Sequence, residues 1–415
     1  MGGGPEQEVA QVELADVDLT SLRWHRQGPP HELFARMRAE APVHWNPLPD
    51  GTGAWSLTRH GDIAAVSRDT ATFSSHRAGI FLHPDQVTPL ELNRNLLLYK
   101  DPPEHTKYRL ILQSAFTPRT VAVLEDAVRA RVTRAIDRVI ERGSCDFAAD
   151  IAVPVPLEVL GELMGVPDQD IPSFARWTEQ IEAAQRAPEP NAAVEVFGEM
   201  AVYLAGQIER QAREGKRDSL VMRLSRAEVD GQRLDDSEIL VFFGLLAFAG
   251  NDTTRNTTAT GMLALLEHPQ TLARLRAQPG LIPQAVEEIL RYTSVVKYFV
   301  RSATRETSIA GQPVREGDRV ILWYSSGSRD ESVNADAARL DIDRQRAEHM
   351  AFGGGGRHFC LGAGLARLEL RVIFEETLRR LRDIERSGPV QRLPSAWANG
   401  LVSLPVSFAP GPVES

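Results

Sequence analysis

The stretch AFGGGGRHFCLG, residues 351–362, contains the residues most able to do chemistry. Cys360 is one of only two cysteines among 415 residues, and it follows four consecutive glycines, an arginine and a histidine. The sequence after it has apolar residues at helical spacing, which predicts that Cys360 lies at a helix N-terminus, where the helix dipole favours a thiolate. The glycines predict a backbone surface that a large, planar group can approach closely.

Several kinds of site contain a cysteine in such a loop, and most of them fail here on spacing. A phosphate-binding P-loop needs Lys and then Ser or Thr after its last glycine, and none follows. A zinc site needs three or four ligands, whereas only His349 and His358 lie near Cys360 in sequence. A thiolate ligand to a haem iron needs one cysteine, a flat approach and basic partners for the propionates. That site and an inert, buried cysteine both remain open.

The segment AGNDTT, residues 249–254, places polar groups in the middle of an apolar helix. Residues 235–269 predict one long helix that begins at a capping pair, Asp235 and Glu238. Polar groups in a buried helix are costly unless they are hydrogen-bonded or used. Glycine together with hydroxyl residues favours a local opening of the helix, so we expect a distorted turn here.

The elements that must position these two segments are mainly helical. Residues 20–385 have Ala, Leu, Arg and Glu at periods of three and four, and short strand-like pieces lie at 53–59, 307–314 and 401–408. No linker or repeat divides the chain. We therefore predict a flexible N-terminal tail at residues 1–20 and one domain at residues 21–415.

Composition narrows the class of protein. The net charge of −9 argues against nucleic acid as a partner. Two cysteines without CxxC spacing predict a reducing, cytoplasmic setting. The N-terminus does not resemble a signal peptide, and no apolar run approaches the ~20 residues that span a membrane. A cytoplasmic protein without a membrane partner is expected.

These segments resemble the cytochrome P450 family of haem-thiolate monooxygenases over roughly residues 20–410. The loop 351–362 is similar to the family's haem-binding loop, with one residue more than is commonest between Phe352 and Cys360. The resemblance implies that Cys360 is the axial iron ligand. It also implies that Phe352, Gly353 and Gly362 contact the haem.

The resemblance also assigns roles to the other motifs. AGNDTT looks like the family's oxygen-activation motif, which places Ala249 against the haem and makes Asp252 and Thr253 the acid–alcohol pair that delivers protons. EEILR (287–291) looks like the family's ExxR, a structural ion pair of Glu288 and Arg291. The residues similar to the family's propionate partners are His105, Arg109, Arg301 and His358.

The same resemblance predicts a lipophilic substrate pocket, although its candidate residues are of types that also form ordinary core. The candidates are Ile80, Phe81, Leu82, Phe243, Ala247, Val295, Val296, Lys297 and Leu401. Lys297 stands where the family has small or apolar residues. Facing inward it would pair with a substrate carboxylate, but an ordinary surface lysine is the favoured expectation.

As a whole, the resemblance implies a mainly α fold with a minor β-sheet: a single-domain, triangular cytochrome P450 fold with a long central helix over the haem. It implies haem b with an axial thiolate, O2 as co-substrate, a small-molecule substrate, and a monomer that receives electrons from a separate ferredoxin and ferredoxin reductase. The expected reaction is hydroxylation of a bulky lipophile such as a terpenoid or steroid. Oxidative ring coupling of a natural product and peroxide-driven haem-thiolate chemistry are the alternatives.

Overall fold

The structure is a computed structural model, and it describes residues 9–83, 89–186 and 193–414. The chain forms two compact units. The first comprises residues 1–82, 287–360 and 392–400, and the second comprises residues 83–286, 361–391 and 401–415.

Helices account for most of the regular structure, as the sequence predicts. In chain order they are α1 (Leu22–His25), α2 (His31–Glu40), α3 (His60–Arg68), α4 (Leu90–Asn93), α5 (Glu104–Gln113), α6 (Pro118–Val123), α7 (Glu125–Ile140), α8 (Pro154–Met164), α9 (Ile171–Arg186), α10 (Val194–Arg213), α11 (Leu220–Leu224), α12 (Asp236–Leu266), α13 (Pro269–Ala277), α14 (Ile282–Thr293), α15 (Tyr324–Gly327) and α16 (Ala363–Arg380). The strands are β1 (Val43–Pro47), β2 (Gly53–Leu57), β3 (Phe73–Ser74), β4 (Ser144–Asp146), β5 (Glu228–Val229), β6 (Gln232–Arg233), β7 (Tyr298–Ala303), β8 (Thr307–Ile309), β9 (Gln312–Val314), β10 (Arg319–Trp323), β11 (Glu385–Arg386), β12 (Gln391–Arg392), β13 (Leu401–Ser403) and β14 (Pro405–Ser407).

The first unit is built on a five-stranded sheet with the strand order β1-β2-β10-β7-β3. β10 runs parallel to β2 and antiparallel to β7, and the strongly apolar sequence of β10 suits its central, buried place. Trp323 at the end of β10 is fully buried, and its indole donates to the Ser56 hydroxyl over 3.0 Å. The sheet is therefore the rigid base on which β7 and the residues before it are held.

The start of the chain is more ordered than its composition predicts. Val17 and Leu19 are fully buried in the core of the first unit, and the Leu19 amide donates to Asn46 over 2.7 Å. Arg36 on α2 donates to the Val12 carbonyl over 2.7 Å. The prediction of a flexible tail is thus wrong for residues 12–20, because two apolar side chains anchor them. Residues 1–8 of that predicted tail lie outside the described residues.

The long helix predicted in the second unit is present as α12, with the predicted capping box at Asp235 and Glu238. It packs against α8, α9, α10, α16 and the π-helical turn Ala148–Ala152. The expected opening at AGNDTT is wrong, because the helix continues through it. The Thr253 hydroxyl donates to the Ala249 carbonyl over 2.9 Å, so the hydroxyl is satisfied without breaking the helix.

α16 begins just after Cys360 and packs against α7 in the second unit. Arg129 on α7 donates to both Glu375 and Glu376 on α16, over 2.8 and 2.6 Å. Among the described residues, no helix is both long enough and apolar enough to cross a membrane.

Candidate functional site

The cysteine loop of the first unit is a closed turn. The Cys360 amide donates to the Phe352 carbonyl over 3.0 Å, and the Gly353 amide donates to the Met350 carbonyl over 2.9 Å. Cys360 is exposed, and the ring of Phe359 before it is 40% exposed. The backbone therefore holds the thiol at the surface of this unit.

The glycines of this loop serve two different purposes. A Cβ atom at Gly354 would lie 2.2 Å from the Ser67 hydroxyl, and one at Gly356 would lie 2.9 Å from the Ser67 carbonyl. These two glycines are needed because the loop packs against the end of α3. At Gly353, with φ +94°, the nearest atom to an added Cβ is the His358 carbonyl oxygen at 3.9 Å, so this position has open space beside it. The sequence explanation, a flat surface along the whole glycine run, is wrong for Gly354 and Gly356.

Arg301 on β7 is a buried cation without an anionic partner in the first unit's described residues. It is 3% exposed, and its guanidinium donates to the carbonyl of Val300 over 2.8 Å. A buried charge is costly unless it is paired, so this guanidinium suits an anionic group such as a carboxylate. His358 lies 3.3 Å from the Ser75 hydroxyl. An exposed thiol, open space at Gly353 and a buried guanidinium together fit a haem with its propionates.

Four other predicted haem contacts lie in the second unit: His105, Arg109, Gly362 and, on α12, Ala249. His105 and Arg109 are spaced four residues apart on α5, so they share one face of that helix. His105 is buried and Arg109 is half-buried. Gly362 is the N-cap residue of α16, and an added Cβ would meet nothing within 4 Å there.

Asp252 and Thr253 lie at the middle of α12, where Ala249 is half-buried. The Asp252 carboxylate is 1% exposed, and its Oδ1 accepts hydrogen bonds from Arg255 Nε over 3.2 Å and from Asn256 Nδ2 over 2.8 Å. Arg255 Nη2 lies 3.1 Å from the same oxygen. The sequence reasoning missed these two donors, although their positions three and four residues after Asp252 place them beside it on a helix.

The predicted ion pair of Glu288 and Arg291 is confirmed, with two N–O distances of 2.7 Å. Both residues are fully buried. Arg291 also donates to the Arg339 carbonyl over 2.7 Å, and Glu288 also accepts from the Asp341 amide over 2.8 Å and from Arg344 over 3.2 Å. The pair thus fastens α14 to the chain segment around residues 337–344, which agrees with a structural role.

Most of the pocket candidates are buried apolar side chains. The buried ones are Ile80, Leu82, Phe243, Ala247, Val295 and Leu401. Phe243 belongs to an aromatic cluster of the second unit, with its ring 5.5 Å from that of Phe174. Phe81 packs in the first unit against Phe299 and Trp397, at 5.9 and 5.6 Å between ring centres. Val296 pairs with Ala398 in an isolated β-bridge.

Lys297 is not the surface lysine that the sequence favoured, since it is 1% exposed. Its amine donates to the Ser395 carbonyl over 2.6 Å and lies 3.3 Å from Nδ1 of His25. Burial, and secondarily the charge of Arg392, lowers the pKa of Lys297 to about 7. The amine therefore has partners in its own unit that the sequence did not reveal.

Comparison with known proteins gives a consistent result. A family model for cytochrome P450 matches residues 188–278 and 280–407. A methyl-branched lipid omega-hydroxylase of Mycobacterium tuberculosis is 37% identical over 419 aligned residues, which cover 98% of this chain and 96% of that protein. A steroid C26-monooxygenase of Rhodococcus jostii is 34% identical, with 98% and 88% covered.

Solved structures agree. The Mycobacterium marinum cytochrome P450 CYP268A2, in complex with pseudoionone, has a TM-score of 0.87 and 35% identity, with 96% of this chain and 100% of that chain covered. The mainly helical fold with its minor sheet is therefore the cytochrome P450 fold. The chain belongs to the cytochrome P450 family of monooxygenases, which use O2 and a haem with a cysteine thiolate ligand.

Proposed function

We propose that Cys360 ligates a haem b iron and that this chain hydroxylates a bulky, lipophilic small molecule. The observation that carries the proposal is the buried Arg301, which has no carboxylate partner among the described residues of its unit. A propionate would supply the missing negative charge. The exposed thiol of Cys360 lies in the same unit, on a loop whose backbone is already closed.

The residues that would hold the haem differ in what they offer. Cys360 offers a thiolate, and Arg301, His358, His105 and Arg109 offer basic groups for the propionates. Phe352, Gly353, Ala249 and Gly362 offer apolar or side-chain-free surface. Once bound, the haem would supply the reductive activation of O2 and the insertion of one oxygen atom into substrate. We further propose that residues 21–415 act as one haem domain.

Proton delivery is proposed to use Thr253 and Asp252. The Thr253 hydroxyl donates to the Ala249 carbonyl in this structure, and its oxygen retains lone pairs that can accept a proton. The Asp252 carboxylate is buried one residue earlier on the same helix and can take up a proton and pass it on. The two groups can thus move protons one after the other without leaving α12.

A lipophilic substrate is supported by the buried apolar side chains of the pocket candidates and by the names of the relatives, which act on a methyl-branched lipid and a steroid. Recognition of a substrate carboxylate by Lys297 is not proposed, because its amine already donates to Ser395. Electrons are proposed to come from a separate ferredoxin and its reductase, with the chain acting as a monomer in the cytoplasm.

The absorption spectrum of the purified ferric protein tests the haem assignment. Natural protein should give a low-spin haem-thiolate spectrum that becomes high-spin with a branched fatty acid, a steroid or a terpenoid. Cys360→Ser should lose the thiolate spectrum, whereas Cys145→Ser, at the other cysteine, should keep it. A thiolate spectrum in Cys360→Ser would contradict the proposal. A haem spectrum that responds only to cyclic dipeptides or aromatic acids would keep the haem and refute the lipophile.

Turnover of Thr253→Ala tests the proton route. The variant should bind haem and substrate normally but divert reducing equivalents into hydrogen peroxide, with a loss of product of about 10-fold or more. Thr257→Ala is a matched control, because the Thr257 hydroxyl makes the same bond to the carbonyl four residues earlier, over 2.8 Å. Full conversion of reducing equivalents into product by Thr253→Ala would show that protons arrive by another route.

A further inference from the structure

Asp252 has a charge partner on its own helix. The carboxylate is 1% exposed, and three nitrogen atoms of Arg255 and Asn256 lie within 3.2 Å of Oδ1. Both donors follow Asp252 by three and four residues, so the regular helix alone brings them to the carboxylate. The position of this oxygen is therefore determined within α12 and does not depend on a loop.

Arg255 is a cation beside this buried carboxylate. Its side chain is 13% exposed, and burial lowers the pKa of Arg255 to about 10, so the guanidinium is still a cation at neutral pH. The charge of Glu179 on α9 opposes that lowering. Glu179 itself is exposed. The buried Asp252 carboxylate is thus held beside a cation on its own helix.

The residue before Asp252, Asn251, adds a second buried polar side chain to the same turn of α12. Asn251 is fully buried, and neither polar atom of its side chain has a hydrogen-bond partner in the part of the chain that the structure describes. Buried amides in proteins are almost always hydrogen-bonded to protein groups or to ordered water. The amide next to Asp252 is thus suited to bind water, which a proton relay requires.

We propose that Arg255 is a positioning residue for Asp252 in proton delivery, because its guanidinium lies against the carboxylate oxygen on the same helix. This inference rests on the proposed role of Asp252 in proton delivery. Arg255 places a positive charge 3.1 Å from Oδ1 and holds that oxygen in one place, so that Asp252 can take a proton from water and pass it to Thr253. The proton moves between oxygen atoms, and no bond to Arg255 is made or broken.

The test compares haem-loaded Arg255→Gln, Arg255→Lys and Asp252→Asn. Product formed per electron pair should fall about 10-fold or more in Asp252→Asn and in Arg255→Gln, and Arg255→Lys should recover most of it. Arg176→Gln is the matched control on α9, since its partner is Glu199 and its side chain is 49% exposed. Substrate affinity should not change in any of these four variants.

Two further readouts separate positioning from general damage. The double variant Asp252→Asn, Arg255→Gln should yield no less product than Asp252→Asn alone, because the two residues act as one unit. Its thermal unfolding midpoint should fall by less than the sum of the two single variants.

The inference is overturned if Arg255→Gln keeps full product yield while Asp252→Asn loses it, and the proposed function then stands. Additive losses in the double variant would also overturn it. Full yield in Asp252→Asn would instead refute the proton route of the proposed function itself.

Discussion

Replacing Lys297 with Met should change the pH dependence of stability more than stability itself. The amine is 1% exposed, and burial lowers its pKa from 10.5 to about 7. The folded-state pKa lies below the unfolded-state pKa. Between these two pKa values the amine is protonated in the unfolded chain but neutral in the folded protein. Stability of the natural protein therefore rises as pH increases from about 7 to about 10.5.

The expected magnitude follows from these two pKa values. At about 1.36 kcal/mol for each pKa unit, burying the amine lowers the free energy of unfolding by about 4–5 kcal/mol at pH 7 and by only about 1 kcal/mol at pH 10. Met removes that cost but leaves the Ser395 carbonyl and His25 without the amine, at about 1–3 kcal/mol each. The free energy of unfolding of Lys297→Met should thus be close to that of the natural protein at pH 7 and about 3 kcal/mol lower than that of the natural protein at pH 10.

Urea unfolding of the haem-loaded proteins, followed by circular dichroism between about pH 7 and about pH 10, measures this difference. Lys216→Met is the control, because that side chain is 50% exposed and its substitution should give a curve parallel to that of the natural protein. If Lys297→Met also gives a parallel curve, the amine is charged in the folded protein and the reasoning fails.

Three further predictions concern stability. Glu288→Gln should lower the free energy of unfolding in urea by about 3–5 kcal/mol, because it leaves a fully buried guanidinium without its carboxylate. Glu287→Gln, at a partly exposed carboxylate, is the control, and an equal loss in both variants would contradict this reasoning. Gly356→Ala should lower the thermal unfolding midpoint further than Gly51→Ala. Both glycines have positive φ, but only at Gly356 would an added Cβ contact backbone atoms. Equal losses would mean that the backbone conformation alone, and not the contact with α3, determines the effect. Burial lowers the pKa of His25 from 6.5 to about 3, so stability should fall with pH from about 6.5 downward, and His25→Phe should flatten that fall in acid unfolding; an unchanged slope would show that His25 is protonated in the folded protein.

The motifs were enough to predict the fold and to identify candidate site residues, because each motif is a short local segment. Side-chain type and spacing were enough to predict the chemistry of three short segments: the cysteine loop, AGNDTT and EEILR. The apolar length of the long helix and its capping pair predicted that helix. The ion pair of Glu288 and Arg291 needed only helix geometry. Helix geometry also places Arg255 and Asn256 beside Asp252. They were missed because polar residues that follow a polar motif resemble ordinary solvent-exposed positions.

What the sequence did not predict depends on partners far away in the chain. Lys297 resembles a surface lysine until His25, 272 residues earlier, is brought beside it. Val17 and Leu19 resemble tail residues until the core of the first unit forms around them. The helix opening was predicted from residue types alone, and it is absent because the Thr253 hydroxyl donates to a carbonyl one turn earlier without breaking the helix. Periodicity identifies buried faces, but it does not identify what covers them.

The close approach of Gly354 and Gly356 to Ser67 shows that two different evolutionary constraints act on the cysteine loop: one from folding and one from cofactor binding. Both glycines are required by the packing of the loop on α3, whether or not a cofactor is bound, whereas the role proposed for Cys360 concerns only the haem. A descendant of this protein that abandoned oxygen chemistry would be free to lose the cysteine, but it would have to keep these glycines to fold. A glycine-rich loop of this kind without its cysteine is therefore the expected remnant of a cytochrome P450 that has become a binding protein.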